Sequence, residues 1–350
     1  MNFEQSDDRR MLADTLSRAL GDTYSIETRN HAAYGETGYD AAAWAQLSEL
    51  GIVGALFDEA SGGFGGSGFD IMVVFEALGR ALAVEPVLGA LMAGRALTAA
   101  GGQHETLARI VAGETIAAFA HDDAADPVAA AQDGDAWTLS GTKAVVPQAG
   151  AAQVFVVTAG DAVFLVPADA AGVSVRSYNL IDGGAAGEVT FASTPATRIG
   201  GTDVREAAIE AGLLALAAES LGAMEFVKEA TLGYLRDRKQ FGVPIGKFQA
   251  LQHRMADVLL EIEQARSSVI NAAYAFDGTD AKARARALAA VKYTVGRTGQ
   301  MVAEESVQMH GGIGMTWEYA VSHYAKRLVM IDHQLGDEDF HLQRFIELGR

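Results

Sequence analysis

Apolar positions recur along this chain in three successive regimes. Between Phe3 and Leu20, the residues Met11, Leu12, Leu16 and Leu20 fall on one stripe at helical spacing, which predicts an amphipathic helix. Ala41–Leu50 and Asp70–Arg80 repeat the pattern, with Gly51 suited to the position after a helix end and Asp70 placing a carboxylate near a helix start. Alanine-rich helices are expected through Leu91–Ala99 and Glu105–Ala112. Near Thr115 the period shortens. Thr115–His121, Ala136–Leu139, Lys143–Val146, Val154–Thr158, Ala162–Val166, Val173–Arg176 and Gly187–Phe191 are short β-rich runs between Gly, Asp and Pro, the spacing of a small antiparallel barrel or sandwich. From about Asp203 the helical period returns, over Val204–Leu235, Phe248–Phe276, Lys282–Val302 and Phe340–Leu348. Ala211–Ala218 is apolar all round, which predicts burial on several sides. The fold class expected is α+β multidomain: an all-α domain over residues 1–113, an antiparallel β domain over 114–200, and a four-helix-bundle-like domain over 201–350.

Composition narrows the classes of function. A length of 350 residues and a hydrophobic content of 49% are enough to bury a core and exclude wholesale disorder. There is no cysteine, so no disulfide frame, thiolate metal site or thiol nucleophile is available. The N-terminal run Met1–Asp8 is acidic and lacks an apolar stretch, so no secretory signal is expected, and with the missing cysteines this fits a reducing cytoplasm. No window approaches about 18 uninterrupted apolar residues, so no membrane span is expected. The formal charge, 27 − 45 = −18, argues against nucleic acid, which requires a basic face.

Against that acidic background one basic stretch stands out. Tyr234-Leu235-Arg236-Asp237-Arg238-Lys239-Gln240-Phe241-Gly242-Val243-Pro244-Ile245-Gly246-Lys247-Phe248-Gln249 joins two long helices, and Gly242 and Pro244 punctuate the join. A cationic tip beside an aromatic suits a phosphate-bearing planar ligand, although a solvated hairpin turn has the same composition. A second stretch, Val307-Gln308-Met309-His310-Gly311-Gly312-Ile313-Gly314, adds three glycines in four residues and an amide side chain.

The pair, in this order and about 70 residues apart, resembles the acyl-CoA dehydrogenase flavoprotein family. Trp44–Gly51, Gly62-Gly63-Phe64-Gly65-Gly66, Glu76–Arg80 and Asp135–Lys143 extend the resemblance over nearly the whole chain. Among family types the short acidic chain is most similar to the small subunits of pimeloyl-CoA and steroid side-chain dehydrogenases. The resemblance implies the family fold, FAD as cofactor and a CoA thioester substrate desaturated between its α and β carbons. It also implies an electron-transfer flavoprotein as acceptor, and a hetero-oligomer with a larger subunit or a homo-oligomer. By the same resemblance Arg238, Phe241, Gln249, Gln308, Gly311 and Gly312 are the residues that reach the pyrophosphate and adenine of a flavin held largely by a neighbouring subunit.

Other family positions are altered. The loop that contacts the flavin ring is here His121-Asp122-Asp123-Ala124-Ala125-Asp126-Pro127, and the flanking tryptophan and threonine positions are Val145 and Pro147. The position of the catalytic glutamate is Leu335, and the alternative position used by some members is Gly212; neither takes a proton. Substitute acids are Asp332, Asp337, Glu338, Asp339 and Glu219, with capping of the last helix and pairing with an arginine as their competing roles. His310, beside the glycine turn, suits a structural role or a place near the adenine better than that of a base. Three readings follow: a subunit whose partner carries the base, a complete enzyme with a displaced acid, and a non-catalytic structural subunit.

Overall fold

A computed structural model describes residues 7–350; the expected helix start at Phe3 lies outside the described residues. Helices α1 (Asp7–Thr23), α2 (Ile26–Ala33), α3 (Ala41–Glu49), α4 (Gly68–Ala81), α5 (Val87–Ala100) and α6 (His104–Val111) come first. Strands β1 (Ala117–Ala120), β2 (Ala129–Asp133), β3 (Ala136–Pro147), β4 (Val154–Ala159), β5 (Ala162–Pro167), β6 (Val173–Asn179) and β7 (Ala185–Gly200) follow. Then come α7 (Thr202–Asp237), a two-strand ribbon β8 (Lys239–Gln240) and β9 (Val243–Pro244), α8 (Gln249–Phe276), α9 (Ala281–His310), α10 (Ala320–His333) and α11 (Glu338–Leu348). The order helices, sheet, helices is the one the periodicity predicts.

The chain packs as two compact units. One comprises Glu27–Gly66 and Val84–Gly212 and contains the sheet. Its strands run in the order β1-β4-β5-β7-β3-β2, with β6 also paired to β7. Phe155, Phe164, Phe191, Leu139 and Val189 fill its core. Every pair is antiparallel except β1 and β4, which run parallel from Ala117 opposite Val154. That pair departs from an all-antiparallel expectation, and the connection through β2 and β3 supplies the long crossover it needs. Two predicted strands fuse into β3, whose register shifts between Lys143 and Val146. β2 and α2 escape prediction because β2 is an exposed alanine run with low strand propensity and α2 carries no apolar stripe.

The other unit joins α1 and α4 to everything from Leu213 onward. Here α4 and α7 cross backbone to backbone: a Cβ at Gly79 would meet the Glu219 carbonyl oxygen at 2.0 Å, and one at Gly222 would meet that of Glu76 at 2.0 Å. Gly68 is as tightly placed against α8, 2.2 Å from Ala273 by the same measure, and its N–H donates to Asp277 Oδ1 at 2.9 Å. Ala211–Ala218 is buried throughout, as its all-round apolar sequence requires. Among the described residues α7 is the one helix long and apolar enough to cross a membrane, but 83% of its apolar window is buried inside the protein.

Candidate functional site

The last turn of α7 sets the geometry of the cationic tip. Arg238 N–H donates to Tyr234 O at 2.8 Å, and Ile245 N–H donates back to Arg238 O at 2.8 Å, so β8 and β9 close directly on the helix end. Phe241 and Gly242, at φ +53° and +82°, form the two-residue turn of the ribbon. Two consecutive positive φ values define the turn that usually selects Asn-Gly. A bulky residue in its first place is a backbone outlier. The ring is 89% exposed and lies edge-on to Phe248 at 6.1 Å. Arg238, Lys239 and Lys247 are exposed around it, and Arg238 forms no ion pair among the described residues.

The glycine turn ends α9. Gly311, at φ +67°, returns its N–H to Val307 O, and a side chain at Gly311 or Gly312 would meet only open space. Gly314 differs: a Cβ there would meet His310 Cβ at 2.9 Å, so its smallness serves packing. His310 is buried, with Nδ1 2.8 Å from Ser306 O. Since that carbonyl accepts, Nδ1 carries the proton and Nε2 is left bare. Burial lowers the pKa of the ring, which favours this neutral form. Its ring packs 4.5 Å from Tyr234 and 5.1 Å from Tyr319. This aromatic stack and the Arg254–Glu305 ion pair at 2.7 Å hold the tip and the glycine turn at the same end of the helical unit. Arg238, Phe241, Gln249, Gln308, Gly311 and Gly312 are all exposed there.

Such a surface fits the phosphate end of a dinucleotide. An unpaired guanidinium forks onto pyrophosphate oxygens, and two open glycines let a ligand approach the backbone. The positions for a flavin ring fit poorly. Val145 sits in the β3 bulge at φ +45°, a conformation costly for a β-branched residue, and Pro147 brings no N–H. The loop before them is tied inward. Lys143, buried, donates to His121 O at 2.8 Å and Thr158 Oγ1 at 3.0 Å and pairs with Asp123 at 2.7 Å. Burial lowers the Lys143 pKa and the Asp123 carboxylate opposes that shift.

The positions of the family base carry no acid, and most substitute acids are committed elsewhere. Leu335 lies in the turn between α10 and α11, and Gly212 lies within α7. Glu219 is gripped by Arg327 through two bonds of 2.6 and 2.9 Å. Asp337 caps α11, accepting from Phe340 N–H at 2.9 Å, and Glu338 and Asp339 occupy its first turn. Asp332 is half-buried and its pKa is raised, by burial first. Its Oδ1 lies 2.1 Å from where a Gly296 Cβ would stand, so it faces the α9 backbone. Sequence reasoning missed two features, the strained conformation of Phe241 and the buried Lys292 behind the Leu335 turn.

Comparison with known proteins places this arrangement in a class. The acyl-CoA dehydrogenase N-terminal domain matches residues 6–114, and the acyl-CoA dehydrogenase C-terminal domain matches residues 200–344. The chain belongs to the acyl-CoA dehydrogenase family of oxidoreductases. It is 31% identical over 330 residues to the acyl-CoA dehydrogenase IpdE2 of Mycolicibacterium smegmatis, covering 92% of each chain. It is 30% identical to the acyl-CoA dehydrogenase FadE27 of Mycobacterium tuberculosis, covering 88% of each. Its structure superposes on a chain of the ChsE4–ChsE5 complex from Mycobacterium tuberculosis with a TM-score of 0.93 at 28% identity, over 99% of this chain and 98% of that one.

Proposed function

We propose that the chain is one subunit of a flavin-dependent acyl-CoA dehydrogenase that desaturates a CoA thioester between its α and β carbons. In this reading Arg238, Phe241, Gln249, Gln308, Gly311 and Gly312 hold the pyrophosphate and adenine of an FAD whose ring lies in a larger partner chain. That partner also supplies the base. The carrying observation is an asymmetry within one chain: an exposed cationic tip beside an open glycine turn is kept, while Leu335 and Gly212 stand where the base is expected and Glu219 is locked to Arg327. A similar chain is found in a complex described by two differently named components, ChsE4 and ChsE5, which supports a subunit role. The division of labour follows the segments 1–113, 114–200 and 201–350, with the cofactor contacts in the last.

When bound, FAD supplies the acceptor for the β-hydride, and re-oxidation falls to an electron-transfer flavoprotein. Arg238 then fixes the pyrophosphate by charge-assisted bonds, Gln249 and Gln308 offer amide donors and acceptors, and Phe241 covers the ligand with an apolar ring. The test is purification of this chain alone and with a larger acyl-CoA dehydrogenase chain. The expected result is a colourless single chain and a yellow, thioester-reducible complex. A single chain that retains about one flavin and is bleached by a CoA thioester would establish a complete enzyme instead. A complex that assembles without any flavin would establish a structural role.

A further inference from the structure

The turn between α10 and α11 is held by groups that the family resemblance does not assign. Leu335 and Gly336 are consecutive left-handed residues, at φ +57° and +94°. Gly336 has no alternative, since a Cβ there would meet Phe340 Cδ1 at 2.5 Å. Leu335 has no such licence, and a leucine in this region is strained unless its surroundings impose the conformation. They do impose it. Lys292, in α9 and with 0% exposure, donates from Nζ to Asp332 O and to Gly336 O, each at 2.7 Å. From the other side, buried His341 of α11 places Nε2 2.8 Å from Leu335 O. Three carbonyls of one turn, residues 332, 335 and 336, are thus captured by two buried side chains. An ammonium at the C-terminal end of α10 also complements the helix dipole.

We infer that Lys292, with His341 as second anchor, clamps the strained Leu335–Gly336 turn and so fixes the path of the chain from α10 into α11. A helix connection that needed only to turn a corner would use a residue at ease in positive φ and would not spend a buried lysine on it. The clamp is argued from these contacts alone and does not rest on the function proposed above.

The test is amide hydrogen exchange on this chain. Lys292→Met should accelerate exchange at residues 334–336 at least tenfold and leave the core of α7 unchanged. In a Leu335→Gly background, where positive φ costs nothing, the same substitution should have a much smaller effect. His341→Phe removes the other anchor and should accelerate the same amides, so the clamp is testable even if Lys292→Met fails to fold. Exchange at 334–336 unchanged in both variants, or equal effects with and without Leu335→Gly, would overturn the clamp.

Discussion

At the residue scale, the proposed cofactor contacts depend on side chains that the fold itself does not use. Arg238 is exposed and forms no ion pair among the described residues, so Arg238→Ala should strip flavin from the assembled complex while leaving thermal stability nearly unchanged. Each charge-assisted bond to phosphate contributes roughly 1.5–3 kcal/mol, which predicts at least a tenfold loss of flavin affinity. Retained flavin with a large fall in melting temperature would mark Arg238 as structural. Phe241 gives the complementary prediction. Its backbone sits where Asn is at ease, so Phe241→Asn should hold or slightly raise stability while weakening flavin retention or partner assembly. Thermal unfolding and flavin content measured on the same preparation separate the two effects. The tip was legible because Gly242, Pro244 and a run of cations announce themselves in any sequence. The strain at Phe241 was not, because Phe-Gly is not a usual signature of this turn.

At the scale of elements, long helices and the all-round apolar stretch of α7 were read correctly from period alone, and the pairing of Glu219 with an arginine was open to reading from its place in that apolar helix, whereas the burial of Lys292 was invisible. Lys292 looks like an ordinary polar position of an amphipathic helix. Its acceptors are backbone carbonyls of a turn about 40 residues away, and no side chain advertises them. Burial lowers its pKa from the ordinary 10.5 to about 8, opposed by the carboxylates of Asp332 and Asp337. Between pH 8 and 10.5 the unfolded chain therefore binds the extra proton. The stability linked to Lys292 is full above about 10.5 and is lost as pH falls toward 8. A neutral amine keeps two N–H groups, enough for both carbonyls. Subtracting the stability–pH curve of Lys292→Met from that of the wild type should isolate this alkaline rise, and a flat difference would refute it. His341 follows the same sign lower down. Burial takes its pKa from 6.5 to about 4, so its contribution is present above pH 6.5 and disappears as pH falls to 4.

At the scale of the whole molecule, a charge of −18 repels the anionic ligand proposed for the tip. Long-range repulsion is screened by salt more readily than a contact at Arg238. Raising ionic strength from about 0.01 M to 0.15 M should therefore speed flavin association, and stopped-flow fluorescence measures the rate. A slower association would show that the local cations dominate the approaching ligand's field. The order of helices and sheet was legible at this scale because the hydrophobic period changes twice. Which helices pack together was not, since small residues such as Gly79 and Gly222 mark a close crossing without naming the partner.

The pairing of α4 with α8 has a consequence for how the chain is made. The Gly68 N–H and the Asp277 carboxylate that receives it are separated by 209 positions. At a synthesis rate of about 5–20 residues per second, α4 leaves the ribosome roughly 10–40 s before its partner exists. Throughout that interval the face of α4 that meets α8, with Gly68 at its tightest point, has no partner to cover it. A nascent chain in that state is a natural client for a holding chaperone. Yield should therefore depend more steeply on chaperone supply and growth temperature than the stability of the finished fold would suggest.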